Sequence, residues 1–181
     1  MISLSEQEAA KRFDVTKAIE RFPSNLSDTE EQYVKTVLQY MDIAYSPKRN
    51  TGRSCVEQFC APDNVFEARS TFPTAHDAQG YAESHSHVMA SLPDLHIKSF
   101  QIVNVKENLV SLRYEATGSH TGEDHNGIKA TGRRGNWSGS GNFVMDEKTG
   151  KIAHWWKDWD KMQMWKQLGW VRPNNDETEF A

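Results

Sequence analysis

Apolar positions at helical spacing dominate the first half of the chain. Tyr33, Val34, Val37, Leu38, Met41 and Tyr45 recur three and four apart, the stripe of a helix that buries one face. Ser27-Asp28-Thr29-Glu30 stands before them as a capping box, whose Glu returns a hydrogen bond to the cap amide. Pro47 and Gly52 mark the end of this helix. A short helix over about Ser54–Cys60 stops at Pro62-Asp63, and NVFEARS reads as a brief strand. The period returns over about His76–Ser91, where Tyr81, His85, Val88 and Leu92 share a side and Pro93-Asp94 close the helix. Upstream, SEQEAAKRF and VTKAIERF predict two short amphipathic helices ended by Pro23.

The period then changes to two. IKSFQIVNV, NLVSLRYEATGS, NWSGSGNFVM and KIAHWWKDW alternate as strands do. Lys106-Glu107-Asn108 makes one reversal; Asp146 to Gly150 makes another, with Gly150 able to take a positive φ. The connector THTGEDHNGIKATG is long for a hairpin turn and predicts a flap over the mouth of the fold. Asp160 and Gln163 open a last helix that Gly169 ends. Helices followed by strands predict an α+β fold, a curved antiparallel sheet folded over three helices into a cone. Such a cone holds ligands between sheet and helices. The expected divisions are a peripheral arm over residues 1–25, the cone over 26–172 and an acidic disordered tail over 173–181.

Charge narrows the partners. Acidic residues outnumber basic ones 25 to 21, a net charge of −4, which argues against a phosphate backbone as partner. No apolar run suits a bilayer span or a secretory leader, so a cytoplasmic protein is expected. Cys55 and Cys60, five apart in one helix, suit neither a stable disulfide nor a zinc knuckle.

Several stretches resemble the SnoaL-like polyketide cyclases: Leu92-Pro93-Asp94-Leu95, Gly118 to Glu123, Gly127 to Arg133, Gly150-Lys151-Ile152 and Gln167-Leu168-Gly169. The resemblance implies a nuclear-transport-factor-two-like cone, a homodimer or homotetramer, and an intramolecular aldol cyclisation without metal or cofactor. It implies an aspartate acid/base on the last strand. Counting without gaps from Ile152 or back from Gly169, that position falls on Lys157. Asp158 is one residue off, hence on the other face, unless a bulge near Trp159 turns it inward.

An aldol closure needs a base beside a carbonyl and a donor for the enolate oxygen. The catalytic candidates are Asp158 with such a bulge, Lys157 and His85. A bland alternative for His85 is a core histidine bonded to a carbonyl. His76, His85, His87 and His96 lack the spacing of metal ligands on a helix, so no metal is expected, and His87 is assigned to the surface. Trp155, Lys157 and Trp159 share one face of the final strand, where two indoles suit a flat ring system. Period arguments add Tyr81, Val88, Tyr114, His120, Trp137 and Phe143 to the substrate contacts; Gly139 and Gly141 would leave volume for a ligand. Arg113, Glu115 and Trp156 face outward, where a subunit interface is expected. These features predict a small hydrophobic or aromatic substrate and a cofactor-independent cyclase or isomerase. The alternatives are a dehydratase or hydrolase on the same cone, or a non-catalytic binding domain.

Overall fold

Ser27 and Glu30 cap each other at the start of the longest helix. The Glu30 amide donates to Ser27 Oγ at 3.3 Å and the Ser27 amide to Glu30 Oε2 at 2.8 Å. The computed structural model of the protein describes residues 6–15, 17–68 and 71–171; the expected tail over 173–181 lies outside the described residues. In chain order the elements are α1 (Glu6–Arg12), β1 (Ala18–Arg21), α2 (Asp28–Ala44), a 3-10 helix (Arg53–Phe59), β2 (Cys60–Glu67), α3 (Ala78–Ser91), β3 (His96–Lys106), β4 (Leu109–Ser119), β5 (Arg134–Met145), β6 (Ile152–Trp159) and α4 (Lys161–Leu168). The predicted stripe of α2 is buried along its length, with Tyr40 added to it. Asp77 caps α3 by accepting from the Gly80 amide at 2.6 Å, and Asp160 caps α4 through the Gln163 amide at 2.8 Å.

Among the described residues six strands form one sheet, in the order β1-β3-β4-β5-β6-β2. The four central strands are antiparallel, as expected, but β1 runs parallel to β3 and β2 parallel to β6. Both edge strands come from the helical half and join strands made much later in the chain. No tight hairpin therefore dictates their sense. This also corrects VTKAIERF, whose middle is β1 rather than a helix. An eight-residue helix bears its full nucleation cost alone, whereas here the backbone gains a ladder with β3 and Ile19 is buried. β2 begins before the expected NVFEARS and runs through Pro62, which an edge strand tolerates because its amide side need not pair.

Register decides what faces the helices. On β5, Gly135, Trp137, Gly139, Gly141, Phe143 and Met145 are buried, alternating with more exposed neighbours. On β6, Trp155 and Lys157 are buried while Trp156 and Asp158 are exposed. The sole shift between β5 and β6 lies at Ile152–His154; from His154 to Trp159 the ladder is continuous. The expected bulge near Trp159 is absent, so Asp158 stays on the outer face opposite Ser140. Two register shifts between β3 and β4, at Ile97/Ser99 and Ile102/Asn104, bend the sheet over the helices.

Candidate active site

A cavity of about 230 Å³ lies where β5 and β6 meet the C-terminal end of α2, the middle of α3, and α4. Phe72, Val88, Trp137, Trp159, Met164, Trp165 and Trp170 give it an apolar wall rich in indoles. Tyr45, Thr71, His85, His125, Asn126, Lys157 and Lys161 supply the polar groups. No acidic side chain is among these lining residues.

Lys157 is the unusual member. It is 4 % exposed, and its Nζ stands 4.5 Å from the Trp159 ring centroid, 4.8 Å from those of Phe72 and Tyr81, and 5.9 Å from that of Tyr45. Burial holds its pKa well below the ordinary lysine value, with the charge of Lys161 adding to the effect. Among the described residues no carboxylate opposes that depression. A buried ammonium without a counter-ion loses several kcal/mol of hydration. The ring faces return about 0.5–2 kcal/mol each. Lys161, bonded to the Thr71 carbonyl at 3.2 Å and lying over the Trp165 ring, is itself lowered by burial.

His85 enters from α3. Its Nδ1 donates to the Ala44 carbonyl at 2.9 Å. A carbonyl only accepts, so the neutral ring carries its proton on Nδ1 and leaves the Nε2 lone pair free. The ring lies flat on Tyr81, with centroids 5.3 Å apart and planes at 17°. Burial, and after it the charge of Lys157, pull its pKa down to about 3. Behind it, Tyr81 donates to Tyr45 at 2.7 Å and Tyr45 to Tyr114 at 2.9 Å. Burial raises all three phenols well above their usual range, so they act as neutral hydrogen-bonding groups. On the cavity wall, the Trp159 indole carries a buried N–H without a partner.

The loop between β4 and β5 closes one side. Asn126 and Gly127 take positive φ inside a tight His125–Ile128 turn, and the His125 ring stacks on Trp170 at 3.6 Å and 11°. His120 ties this loop down. Its Nδ1 accepts from Trp170 Nε1 at 2.9 Å and from the Thr131 amide at 3.2 Å, while Nε2 donates to the Glu123 carbonyl at 3.1 Å.

Of the residues expected from sequence, His85, Val88, Trp137, Lys157 and Trp159 line the cavity. Tyr81 and Tyr114 stand one layer behind it, in contact with His85 and Tyr45. Phe143 and Trp155 stack on each other in the core, at 5.0 Å and 13°, which removes them from the wall. His120 is also corrected, since both ring nitrogens are engaged in holding the loop. Asp158 is corrected because it points away from the cavity. Gly139 and Gly141 do not leave open volume: a Cβ on Gly139 would meet the Tyr114 ring, and one on Gly141 would meet Phe143 and Trp155. The wall also holds Tyr45, read from the sequence only as part of the α2 stripe, and Thr71, Phe72, His125, Asn126, Lys161, Met164, Trp165 and Trp170, none of them individually expected there. Of these, the α4 residues carried a signal, a helix with an indole three residues before its C-terminal end. Among the described residues no cluster of His, Cys, Asp or Glu could hold a metal ion, and both cysteines are free thiols.

The model of the SnoaL-like polyketide cyclase family matches residues 35–168. A candidate SnoaL-like polyketide cyclase of Jannaschia sp. CCS1 superimposes with a TM-score of 0.65 at 16 % identity, covering 83 % of this chain and 100 % of that one. IdmH of Streptomyces antibioticus, a candidate polyketide cyclase, gives 0.59 at 22 % identity, covering 76 % and 99 %. A phenazine biosynthesis-related protein of Pseudomonas aeruginosa gives 0.60 at 14 %, covering 85 % and 96 %. At these identities the likeness is one of fold. No curated protein matches the chain in sequence.

Proposed function

Because the chain belongs to the SnoaL-like polyketide cyclase family, we propose that it is an enzyme of cyclase or isomerase type acting on an aromatic or polyketide-derived carbonyl compound. The observation that carries this reading is the convergence of His85 and Lys157 on one indole-walled cavity. The indoles favour a flat, conjugated ligand. Two lysines and no acid in the lining favour one whose oxygen gathers negative charge.

In this reading Lys157 activates the carbonyl, and the free Nε2 of His85 takes the proton from the neighbouring carbon. His85 is a weak base in the resting cavity because a protonated ring would lie buried beside the Lys157 charge. An enolate forming between them compensates that charge and removes the repulsive part of the depression. The imidazole then gains proton affinity as the transition state is approached. Trp159 contributes its unpartnered N–H to the ligand's oxygen. The steps use the chain's own side chains.

The partial reaction can be tested without the natural substrate. Tetralone incubated with the protein in deuterium oxide should exchange its α-protons, followed by NMR. His85→Gln should slow exchange by about a hundredfold or more, as expected for loss of a general base. Tetralone bound in the cavity with no exchange above background would defeat the reading. Once a substrate is in hand, product mass separates ring closure and isomerisation (unchanged) from dehydration (less one water) and hydrolysis (plus one water).

A further inference from the structure

We propose that Lys157 is a covalent nucleophile, condensing with the carbonyl carbon of an aromatic ketone or aldehyde in the cavity to form an imine. This rests on the reading above, in which the substrate carbonyl sits at Lys157, and gives that activation a chemical form: the free-base fraction of the amine attacks, and the protonated imine then carries the positive charge that the ammonium carries at rest.

The geometry carries the argument. A primary amine attacks a carbonyl only as the free base, because the ammonium has no lone pair. A lysine held by a carboxylate stays an ammonium. Lys157 has no acid among its cavity neighbours; four aromatic rings surround its Nζ instead. A second cation, Lys161, shares the wall. Desolvation in an apolar pocket and a neighbouring positive charge are the two devices that free a lysine for nucleophilic work. The direction of its pKa agrees with both. Lys157 also lines the open cavity, where an attacking group must stand.

The step balances without oxidant or reductant. The Nζ lone pair forms the C–N bond while the carbonyl π pair moves to oxygen. The Nε2 of His85 can accept a proton from nitrogen and deliver it to that oxygen, giving a carbinolamine. The nitrogen lone pair then expels the hydroxyl, which takes a proton from solvent and leaves as water, while nitrogen keeps its second proton as a protonated imine. A protonated imine withdraws electrons more strongly than the parent carbonyl. The adjacent carbon is thereby acidified, and the enamine that follows is the carbon nucleophile of a ring closure.

Benzoylacetone is a suitable probe, because a 1,3-diketone and a lysine amine give a conjugated enaminone that persists without reduction. Folded wild-type protein at pH 7 should gain one diketone less one water, with a new near-ultraviolet band. Peptide mapping should place the adduct on Lys157, formed at least about tenfold faster than on any other lysine, the free-amine advantage of each unit of lowered pKa. Denatured protein should lose that selectivity. Lys157→Arg, which keeps the charge and has no primary amine, should lose this fast uptake and show only the slow reaction of the remaining lysines. Mapping of the wild type decides the matter even if a variant folds poorly. Absence of an adduct on Lys157, or adducts spread evenly over the lysines, would overturn the inference. In that event persistence of α-exchange in Lys157→Arg leaves the acid–base reading standing, with Lys157 as a cationic anchor. Loss of exchange in wild type as well would remove both.

Discussion

Lys157 and Trp159 stand two residues apart on the inward face of β6, and the lysine Nζ lies 4.5 Å from the centroid of the indole. The strand thus delivers an amine and its aromatic neighbour to the same wall. The arrangement disfavours folding, because the amine is buried with no carboxylate beside it among the described residues. Lys157→Met keeps the length and removes the charge. It should raise stability by about 1–3 kcal/mol in urea denaturation, the lost ring contacts offsetting part of the gain, while abolishing turnover. A destabilised Lys157→Met would mean that the lysine has a structural partner.

His85 makes stability depend on pH. Its folded-state pKa of about 3 lies below the roughly 6.5 of a free histidine. Between these values the unfolded chain holds a proton that the folded chain does not. This side chain's contribution is therefore fully present above about pH 6.5 and is lost as pH falls toward 3, at up to about 1.4 kcal/mol per unit. The difference in unfolding free energy between wild type and His85→Gln should carry that slope and flatten above neutrality. Parallel curves would contradict the neutral, carbonyl-bonded ring.

Gly139 is a packing requirement. A Cβ there would overlap the Tyr114 hydroxyl and lie 2.9 Å from the Trp159 Cβ. Both neighbours are held, the first by Tyr45 and the second by the β5–β6 ladder. Gly139→Ala should cost about 1–3 kcal/mol or more, measured by chemical denaturation, and should weaken ligand binding by displacing Trp159.

Tyr45 is the middle of a chain of three phenols, hydrogen-bonded to Tyr81 at 2.7 Å and to Tyr114 at 2.9 Å. Tyr45→Phe removes a partner from two buried hydroxyls, and should cost about 1–3 kcal/mol. Tyr114→Phe removes only one hydrogen bond, at the end of the chain, and should cost less. Equal losses, read by thermal denaturation of both variants, would refute this order.

The inward faces of β4, β5 and most of β6 were legible because period two survives there: Trp137 and Lys157 face inward as alternation requires, whereas β3 breaks the period at its two register shifts. The capping box at Ser27 and the cap at Asp160 marked helix starts for the same local reason. The edge strands were not legible. Ala18–Arg21 has no pattern of its own, and its conformation depends on β3, some eighty residues later. Depth was the other gap. Alternation assigns Phe143 and Trp155 to the same face as Lys157, but only the packing of Tyr40, Phe66 and Tyr81 against Trp155 shows that these rings fill core. His120 looked inward and is inward, yet its hydrogen bonds belong to Trp170 and Thr131. Trp170 lies fifty residues away, beyond what spacing can reveal. Asp158 was drawn in by chemical type, and the continuous ladder from His154 to Trp159 keeps it outside.

The account turns on the protonation of one amine, which can be followed directly. With lysine labelled at Cε with carbon-13, the side-chain resonances of the folded protein can be titrated by NMR and Lys157 assigned by its loss in Lys157→Met. The account predicts that one resonance titrates far below the rest, and that it moves when an aromatic ketone is added. A Lys157 resonance that titrates together with the surface lysines near pH 10.4 would contradict it.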